Sequence, residues 1–287
     1  MSPATAAGED APAVTVLIPA CNEEACIGTC LAALFASDPL PGGAAAEALV
    51  LANGCTDATA AVARSAVQPA GWQLRVLEQA EGGKLKALNA GDRVARGKVL
   101  IYLDADVQVE PALIAQIAAA LADGTPRYAS GRPVVAPARS AVTRAYARAW
   151  SRLPFFAQPA PGFGLFAMTR SGRARWGDWP EIISDDTFAR LHFRAHERLE
   201  VPARYSWPLV EGMRNLVRVR RRQDRGVAEI AARFPGLLAN DSKARARPAA
   251  LARRLAADPA ASLVYILVAL AVKSSLFASS EPWTRGR

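Results

Sequence analysis

Short apolar segments alternate with segments of helical periodicity through the first half of the chain. Runs rich in aliphatic and β-branched residues are typical of buried strands, whereas apolar positions that recur every three or four residues indicate helices. The pattern predicts strands at 14–18, 48–52, 73–77 and 99–103, and helices at 24–35, 57–64, 83–95 and 111–121. Strands that alternate with single helices predict a parallel sheet with right-handed crossovers.

The second half of the chain is less regular. A strand-like segment at 128–136 precedes a helical segment at 138–153 and then a loop rich in proline and glycine at 154–164. Gly162 and Gly164 in this loop would let the backbone approach a ligand closely, because glycine has no side chain to obstruct it. An ordinary flexible loop is the alternative interpretation.

The composition indicates one elaborated α/β domain with an ample core, since 51% of the 287 residues are hydrophobic and 21% are charged. The formal net charge of +9 favours anionic partners, namely nucleotide phosphates, nucleic acid or an anionic membrane surface. Nucleic acid is disfavoured because no recognised nucleic-acid-binding module accompanies the charge. Residues 1–12 are predicted to be a disordered leader without the pattern of a signal peptide, so we expect a cytosolic protein.

One segment near the end of the chain, residues 261–272, is apolar on every side. Its uninterrupted run is shorter than the ~20 residues that cross a bilayer, so a buried or interfacial helix is expected. The basic residues around it suit anionic headgroups; they are Arg253, Arg254, Lys273 and Arg285. Contact with the inner face of the cell membrane and burial in the core or in a homo-oligomer remain open.

Polar turns follow three of the predicted strands, at the edge of the sheet where ligands of open α/β folds bind. The first turn contains Asn22 and Glu23, the second contains Asn53, and the fourth strand ends in Asp104 and Asp106. Residues spaced i and i+2 share one side of a strand, where two carboxylates repel each other unless a cation neutralises them. Mg²⁺ and Mn²⁺ accept such ligands together with substrate phosphates. A solvated acidic turn is the alternative.

Lys84 follows two glycines at the start of a predicted helix. Backbone N–H groups at a helix start, together with an ammonium group, suit a diphosphate. The amides of Asn22 and Asn53 can read the edge of a nucleobase. These features together predict a nucleotide diphosphate at the carboxyl edge of the sheet.

The motifs in this order resemble those of the family 2 glycosyltransferases with the GT-A fold, from about residue 14 to residue 226. They are IPACNEEA (18–25), LANGCTDAT (51–59), GGKLKALNAG (82–91), YLDADVQVEP (102–111), PGFGLFAMTRSG (161–172) and ISDDTF (183–188). The resemblance implies an α/β, Rossmann-like and mostly parallel sheet flanked by helices. It also implies a nucleotide-sugar half at about 13–110, an acceptor half at about 111–226 and a C-terminal helical extension at 227–287.

The implied activity is the transfer of one sugar from a UDP- or GDP-type donor to an acceptor hydroxyl, with inversion and with Mg²⁺ or Mn²⁺ as cofactor. In this scheme Asp106 is the main metal ligand and Asp104 contacts the metal or the ribose. Asp186 is the general base, with Asp185 beside it. The other implied contacts are Pro19, Asn22, Glu23 and Asn53 at the base, Lys84 and Arg222 at the diphosphate, and Gly162 and Gly164 on the acceptor side.

Two departures from the family pattern limit these expectations. Ala52 and Asn53 stand where many relatives carry an acidic pair that grips the base, which leaves the nucleobase open. The segment 218–226 lacks the Gln-x-x-Arg-Trp motif of processive members, which favours the addition of a single sugar.

The apolar segment 261–272 further suggests a lipid-linked or membrane-proximal acceptor.

Other interpretations of the acidic residues remain. Asp185 and Asp186 also suit the capping of a helix N-terminus. A phosphatase of the haloacid dehalogenase type would use Asp104 as nucleophile, but it gives no role to the earlier polar turns. A non-catalytic protein that binds nucleotide sugars would retain the donor site without turnover.

Overall fold

A computed structural model describes residues 11–154, 156, 158–241, 253, 256–275 and 277. Its strands are β1 (Val14–Ala20), β2 (Ala46–Asn53), β3 (Trp72–Gln79), β4 (Val99–Leu103), β5 (Gln108–Val109), β6 (Tyr128–Val135), β7 (Leu165–Thr169) and β8 (Arg198–Trp207). Its α-helices are α1 (Ile27–Phe35), α2 (Thr59–Arg64), α3 (Lys84–Val94), α4 (Ala112–Ala120), α5 (Ala141–Trp150), α6 (Arg170–Arg173), α7 (Asp185–Leu191), α8 (Met213–Arg233) and α9 (Pro259–Lys273).

The strands form one eight-stranded sheet in the order β3-β2-β1-β4-β7-β6-β8-β5. The first four predicted strands are confirmed, and they pair in parallel, β1 with both β2 and β4, and β2 with β3. The second half is mixed, because β7 runs antiparallel to both β4 and β6. The carboxyl ends of β1, β2 and β4 therefore meet at one edge, as the alternation of strands and helices predicts.

Three strands, β5, β7 and β8, were not predicted from the pattern of apolar runs. β8 buries Val201, Ala203 and Tyr205 and exposes Pro202 and Arg204 between them. This alternation is the period-two signal of a strand with one buried face. Charged residues and a proline within the segment hide that signal when only continuous apolar runs are sought.

The sheet is covered on both faces, and alternate residues of each central strand enter different clusters of the core. Val16 and Ile18 of β1 belong to the cluster that contains residues of α1 and α4, whereas Leu17 between them belongs to the cluster that contains residues of α3 and α7. Both side-chain directions of these strands are buried, which is why their sequences are continuously apolar.

A third apolar cluster joins α5, α8 and α9, with Tyr146, Trp150, Val217 and Val268 among its members. The apolar segment 261–272 is thus a helix, as predicted. α8 is one continuous helix, so the predicted domain boundary after residue 226 falls inside it. Among the described residues, no helix is both long enough and apolar enough to cross a membrane. The predicted leader lies largely outside those residues.

Candidate active site

A pocket of about 660 Å³ lies at the carboxyl ends of β1 and β4. This volume is within the usual range for sites that bind small molecules. Eight of the predicted site residues line it: Pro19, Lys84, Asp104, Gly162, Gly164, Asp185, Asp186 and Arg222. The fold therefore gathers side chains from both halves of the sequence at the edge where the polar turns were expected.

Lys84 connects two acidic motifs that are far apart in the sequence. Its Nζ lies 2.9 Å from Oδ1 of Asp104 and 2.9 Å from Oδ2 of Asp185. Burial lowers the pKa of Lys84, but the negative charges of these two carboxylates outweigh that effect and raise it. The side chain therefore remains an ammonium ion, and it holds the end of β4 against the start of α7.

The turn after β4 is fixed by its backbone as well as by Lys84. The amide of Asp104 donates to the carbonyl of Gly164 at 2.8 Å, and the amide of Val107 donates to the carbonyl of Asp104 at 3.1 Å. Burial raises the pKa of the Cys30 thiol in α1, and the charges of Asp106 and Asp104 raise it further. The Sγ atom of Cys30 lies 3.8 Å from the carbonyl oxygen of Asp104, so α1 packs against this turn.

Asp104 and Asp106 fit a divalent ion whose remaining ligands are supplied by the substrate. The described residues contain no cluster of three or more histidine, cysteine or acidic side chains that could hold a metal ion. Asp104 and Asp106 nevertheless offer hard oxygen ligands after one strand. Mg²⁺ and Mn²⁺ sites commonly consist of one or two carboxylates, with phosphate oxygens and water providing the remaining ligands.

Asp186 is the second residue of α7, and it lies in the wall of the pocket. Loss of hydration raises the pKa of its carboxyl to about 6, and the neighbouring carboxylate of Asp185 adds to the increase. Its Oδ1 accepts a hydrogen bond of 2.6 Å from the amide of Thr187. Ser184, at the N-cap position, makes no side-chain capping hydrogen bond. A carboxyl group with this pKa can accept a proton near neutral pH.

The two loop glycines are required by the packing of the protein itself. Gly162 has φ of 81° and Gly164 has φ of 66°. A Cβ at position 162 would lie 2.0 Å from the hydroxyl of Tyr128, and one at position 164 would lie 2.8 Å from both Trp207 and Val107. Their direct approach to a ligand remains a prediction.

Four predicted residues are not among those that line the pocket, namely Asn22, Glu23, Asn53 and Asp106. The buried amide of Asn53 donates to the carbonyls of Ala20 and Leu51, both at 3.0 Å, and accepts from the amide of Gly83 at 2.9 Å. Asn53 thus joins the ends of β1 and β2 to the start of α3.

Asn22, with φ of 51°, is engaged within the same turns. Its amide nitrogen donates to the hydroxyl of Thr56 at 3.0 Å, and its amide oxygen accepts from the backbone of Thr56 at 2.6 Å. The backbone of Glu23 donates to the hydroxyl of Thr59 at 2.7 Å. The structure therefore assigns these residues to the bracing of the turns, while their contact with a base remains a prediction.

One side of the pocket is an aromatic wall for which the sequence carries no local signal; its members are Trp150, Phe163, Trp207 and Tyr265. The ring centres of Trp150 and Phe163 are 5.4 Å apart, as are those of Phe163 and Trp207. The individual rings are visible in the sequence, but α5, the glycine loop, β8 and α9 bring them together only through the tertiary fold. Arg220 of α8 adds a cation to this wall.

Solved structures show the same fold. The mannosyltransferase PcManGT from Pyrobaculum calidifontis, in complex with GDP-Man and Mn²⁺, matches with a TM-score of 0.56 and 24% identity over 95% of this chain and 77% of that chain. Glucosyl-3-phosphoglycerate synthase from Mycobacterium tuberculosis, with Mn²⁺ and UDP-glucose, matches with a TM-score of 0.52 and 20% identity over 78% and 79%. TarS of S. aureus matches with a TM-score of 0.51 and 17% identity over 86% of this chain but only 42% of that chain.

Among curated proteins, none matches the chain significantly. The sequence model of Glycosyl transferase family 2, however, matches residues 15–198, which is more than half of the chain. The matched region runs from β1 to the start of β8 and includes Lys84, Asp104 and the acidic pair of α7. The fold is that of the GT-A glycosyltransferases. The chain is therefore a glycosyltransferase that belongs to family 2.

Proposed function

We propose that this enzyme transfers one sugar from a UDP- or GDP-type donor to an acceptor hydroxyl, with inversion at the anomeric carbon and with assistance from Mg²⁺ or Mn²⁺. The observation that carries the proposal is the position of Asp186. Its carboxyl, with a pKa raised to about 6, lines the same pocket as Lys84 and Asp104. One cavity thus combines groups suited to a diphosphate with a candidate base.

The donor diphosphate would lie near Lys84, with Asp104 and Asp106 holding the metal ion and Arg222 offering further positive charge. When bound, the ion would stabilise the charge that develops on the leaving diphosphate. PcManGT with GDP-Man and Mn²⁺, and the M. tuberculosis synthase with UDP-glucose and Mn²⁺, support this choice of donor and cofactor. Pro19, Asn22, Glu23 and Asn53 would shape the base side.

Asp186 would accept the proton of the acceptor hydroxyl as its oxygen attacks the anomeric carbon opposite the leaving group. Asp185 has a different role in this scheme, since its carboxylate is held by Lys84 at 2.9 Å. It would fix the start of α7 and so position Asp186. The backbone at Gly162 and Gly164 would border the acceptor.

Donor binding and turnover test the proposal separately. Thermal denaturation should be followed with UDP-glucose and GDP-mannose, each with and without Mn²⁺. A donor at one hundred times its Kd should add about 2.7 kcal/mol to the free energy of unfolding. Failure of every donor to stabilise the protein in the presence of metal would contradict the proposal.

Asp186→Asn should retain the stabilisation by donor and lose transfer by about 10²- to 10⁴-fold. Asp178→Asn is the matched control, because the Asp178 side chain is 75% exposed. Its Oδ1 lies 3.6 Å from Nη1 of Arg93, which is a weak surface ion pair. Turnover of the Asp186→Asn enzyme at the level of the control would remove Asp186 as the base.

A further inference from the structure

The two sides of α9 differ in what they contact. Ala261, Val268 and Ala271 are buried against the rest of the protein, and the helix packs on α5 and α8. The opposite side carries large apolar residues that remain exposed to solvent: Leu263 at 57%, Ile266 at 43%, Leu267 at 47% and Leu270 at 60%. Their spacing of three and four residues makes a continuous stripe along the helix.

Positive charge borders this stripe. α9 contains no acidic residue, and its single charged residue is the exposed Lys273 at its C-terminus. Asp258, which precedes the helix, is already neutralised. Its carboxylate accepts from the amide of Ala261 at 3.1 Å and from Nε of Arg148 at 2.9 Å. An apolar stripe with a basic end matches the interface of an anionic bilayer.

A second copy of the chain is a poorer match for the same stripe. Each copy carries a formal net charge of +9, so two copies repel each other, whereas anionic headgroups attract the cations that lie near the bilayer surface. At about 1.5 Å per residue, the 15 residues of α9 are also too short to cross a bilayer. The helix is suited to lie in the plane of the interface.

The same helix forms part of the candidate active site. Tyr265 of α9 lines the pocket together with Trp150 of α5 and Val227 of α8, and Val227 is 40% exposed. Tyr265 precedes Ile266 and Leu267 directly in the sequence. At about 3.6 residues per turn, Tyr265 lies on the packed side of α9, opposite the stripe, where its ring stacks on Tyr146. The helix itself, about 10 Å across, therefore separates the stripe from the pocket wall.

We propose that α9 docks the enzyme on an anionic membrane surface through Leu263, Ile266, Leu267 and Leu270. Docking would place the aromatic wall of the pocket about one helix diameter from the bilayer surface, on the side that an amphipathic acceptor with its hydroxyl at the headgroup level would approach. The acceptor class rests on the proposed transferase function. The docking surface stands on the exposed stripe and its charges alone.

Vesicle co-sedimentation tests the docking surface with the full chain. The native protein should bind vesicles of equal parts phosphatidylcholine and phosphatidylglycerol more strongly than vesicles of phosphatidylcholine alone. The Leu267→Asp/Leu270→Asp variant should bind the anionic vesicles at least about tenfold more weakly, because two apolar contacts are lost and two negative charges are added. Lys273→Glu should weaken the same binding through charge alone.

Val67→Asp is the matched control, since Val67 is 89% exposed in the turn before β3, away from α9. It should bind vesicles like the native protein. Circular dichroism verifies that each variant is folded, and donor-induced stabilisation without vesicles reports independently on the proposed function. The proposal is overturned if the native protein ignores anionic vesicles, or if the double variant binds them as the native protein does. Light scattering that shows a native dimer dissociated by the double substitution would assign the stripe to a second copy.

Discussion

Replacement of Asp186 by asparagine should stabilise the protein at alkaline pH while it removes the proposed base. The pKa of Asp186 rises from its ordinary value of 3.8 to about 6. Each unit corresponds to about 1.4 kcal/mol, so ionised Asp186 costs the folded state up to about 3 kcal/mol. Asparagine has no charge to desolvate, and its side-chain oxygen can still accept the hydrogen bond from the amide of Thr187.

The sign of the effect follows from the raised pKa. Below pH 3.8 the carboxyl is protonated in both the folded and the unfolded chain, and ionisation contributes nothing to the difference. As the pH rises towards about 6, the unfolded chain releases the proton first, so the native protein loses stability that the variant keeps. The advantage of the variant should be complete above pH 7 and should fall below about 1 kcal/mol at pH 4.

Urea denaturation at pH 4, 6 and 8 measures this difference in the free energy of unfolding. Asp185→Asn is the informative control, because Oδ2 of Asp185 forms an ion pair with Nζ of Lys84 at 2.9 Å. Its loss should destabilise the protein at pH 8 by about 1–3 kcal/mol. The Asp186→Asn and Asp185→Asn variants should thus change the free energy of unfolding at pH 8 in opposite directions. An Asp186→Asn variant that is less stable than the native protein at pH 8 would refute the reasoning.

Three further results are expected. The value of kcat/KM should rise with pH as Asp186 loses its proton near pH 6 and then level off; a flat profile from pH 5 to 8 would contradict a base with this pKa. Gly162→Ala should lower the free energy of unfolding in urea by about 2–4 kcal/mol, because φ is 81° and the new Cβ would lie 2.0 Å from the Tyr128 hydroxyl. Gly177→Ala should lower it by under about 1 kcal/mol, because the new Cβ there would meet no neighbouring atom within 4 Å. Asn53→Ala should cost about 2–4 kcal/mol through three lost hydrogen bonds, and equal stability of variant and native protein would contradict that role.

The first half of the fold, from β1 to β4, follows closely from local patterns. The apolar run at 99–103 is buried at every position, as β4, so it can be recognised without tertiary information. Asp104 follows it because a carboxylate is tolerated only where the strand emerges from the core. The parallel pairing then places the other polar turns at the same edge, which is why the edge of the sheet that borders the pocket follows from the sequence pattern.

The second half of the fold follows less well because its contacts are non-local. The interaction between Lys84 and Asp185 depends on α7 crossing above the end of β4, and neither residue carries a local signal for it. The aromatic wall likewise depends on α5 and α8 packing against α9. Asn53 is a further case, since the sequence presents an amide that can read a base, whereas the fold uses both ends of that amide internally.

The internal bonding of Asn53 has a consequence for the engineering of donor preference. A residue that links two strand ends to the start of α3 cannot be exchanged freely, since each exchange would loosen the turns at the ends of β1 and β2. Pro19 already lines the pocket and makes no such link through a side-chain amide. Libraries that aim to change the base should therefore vary the lining positions and hold Asn53 constant.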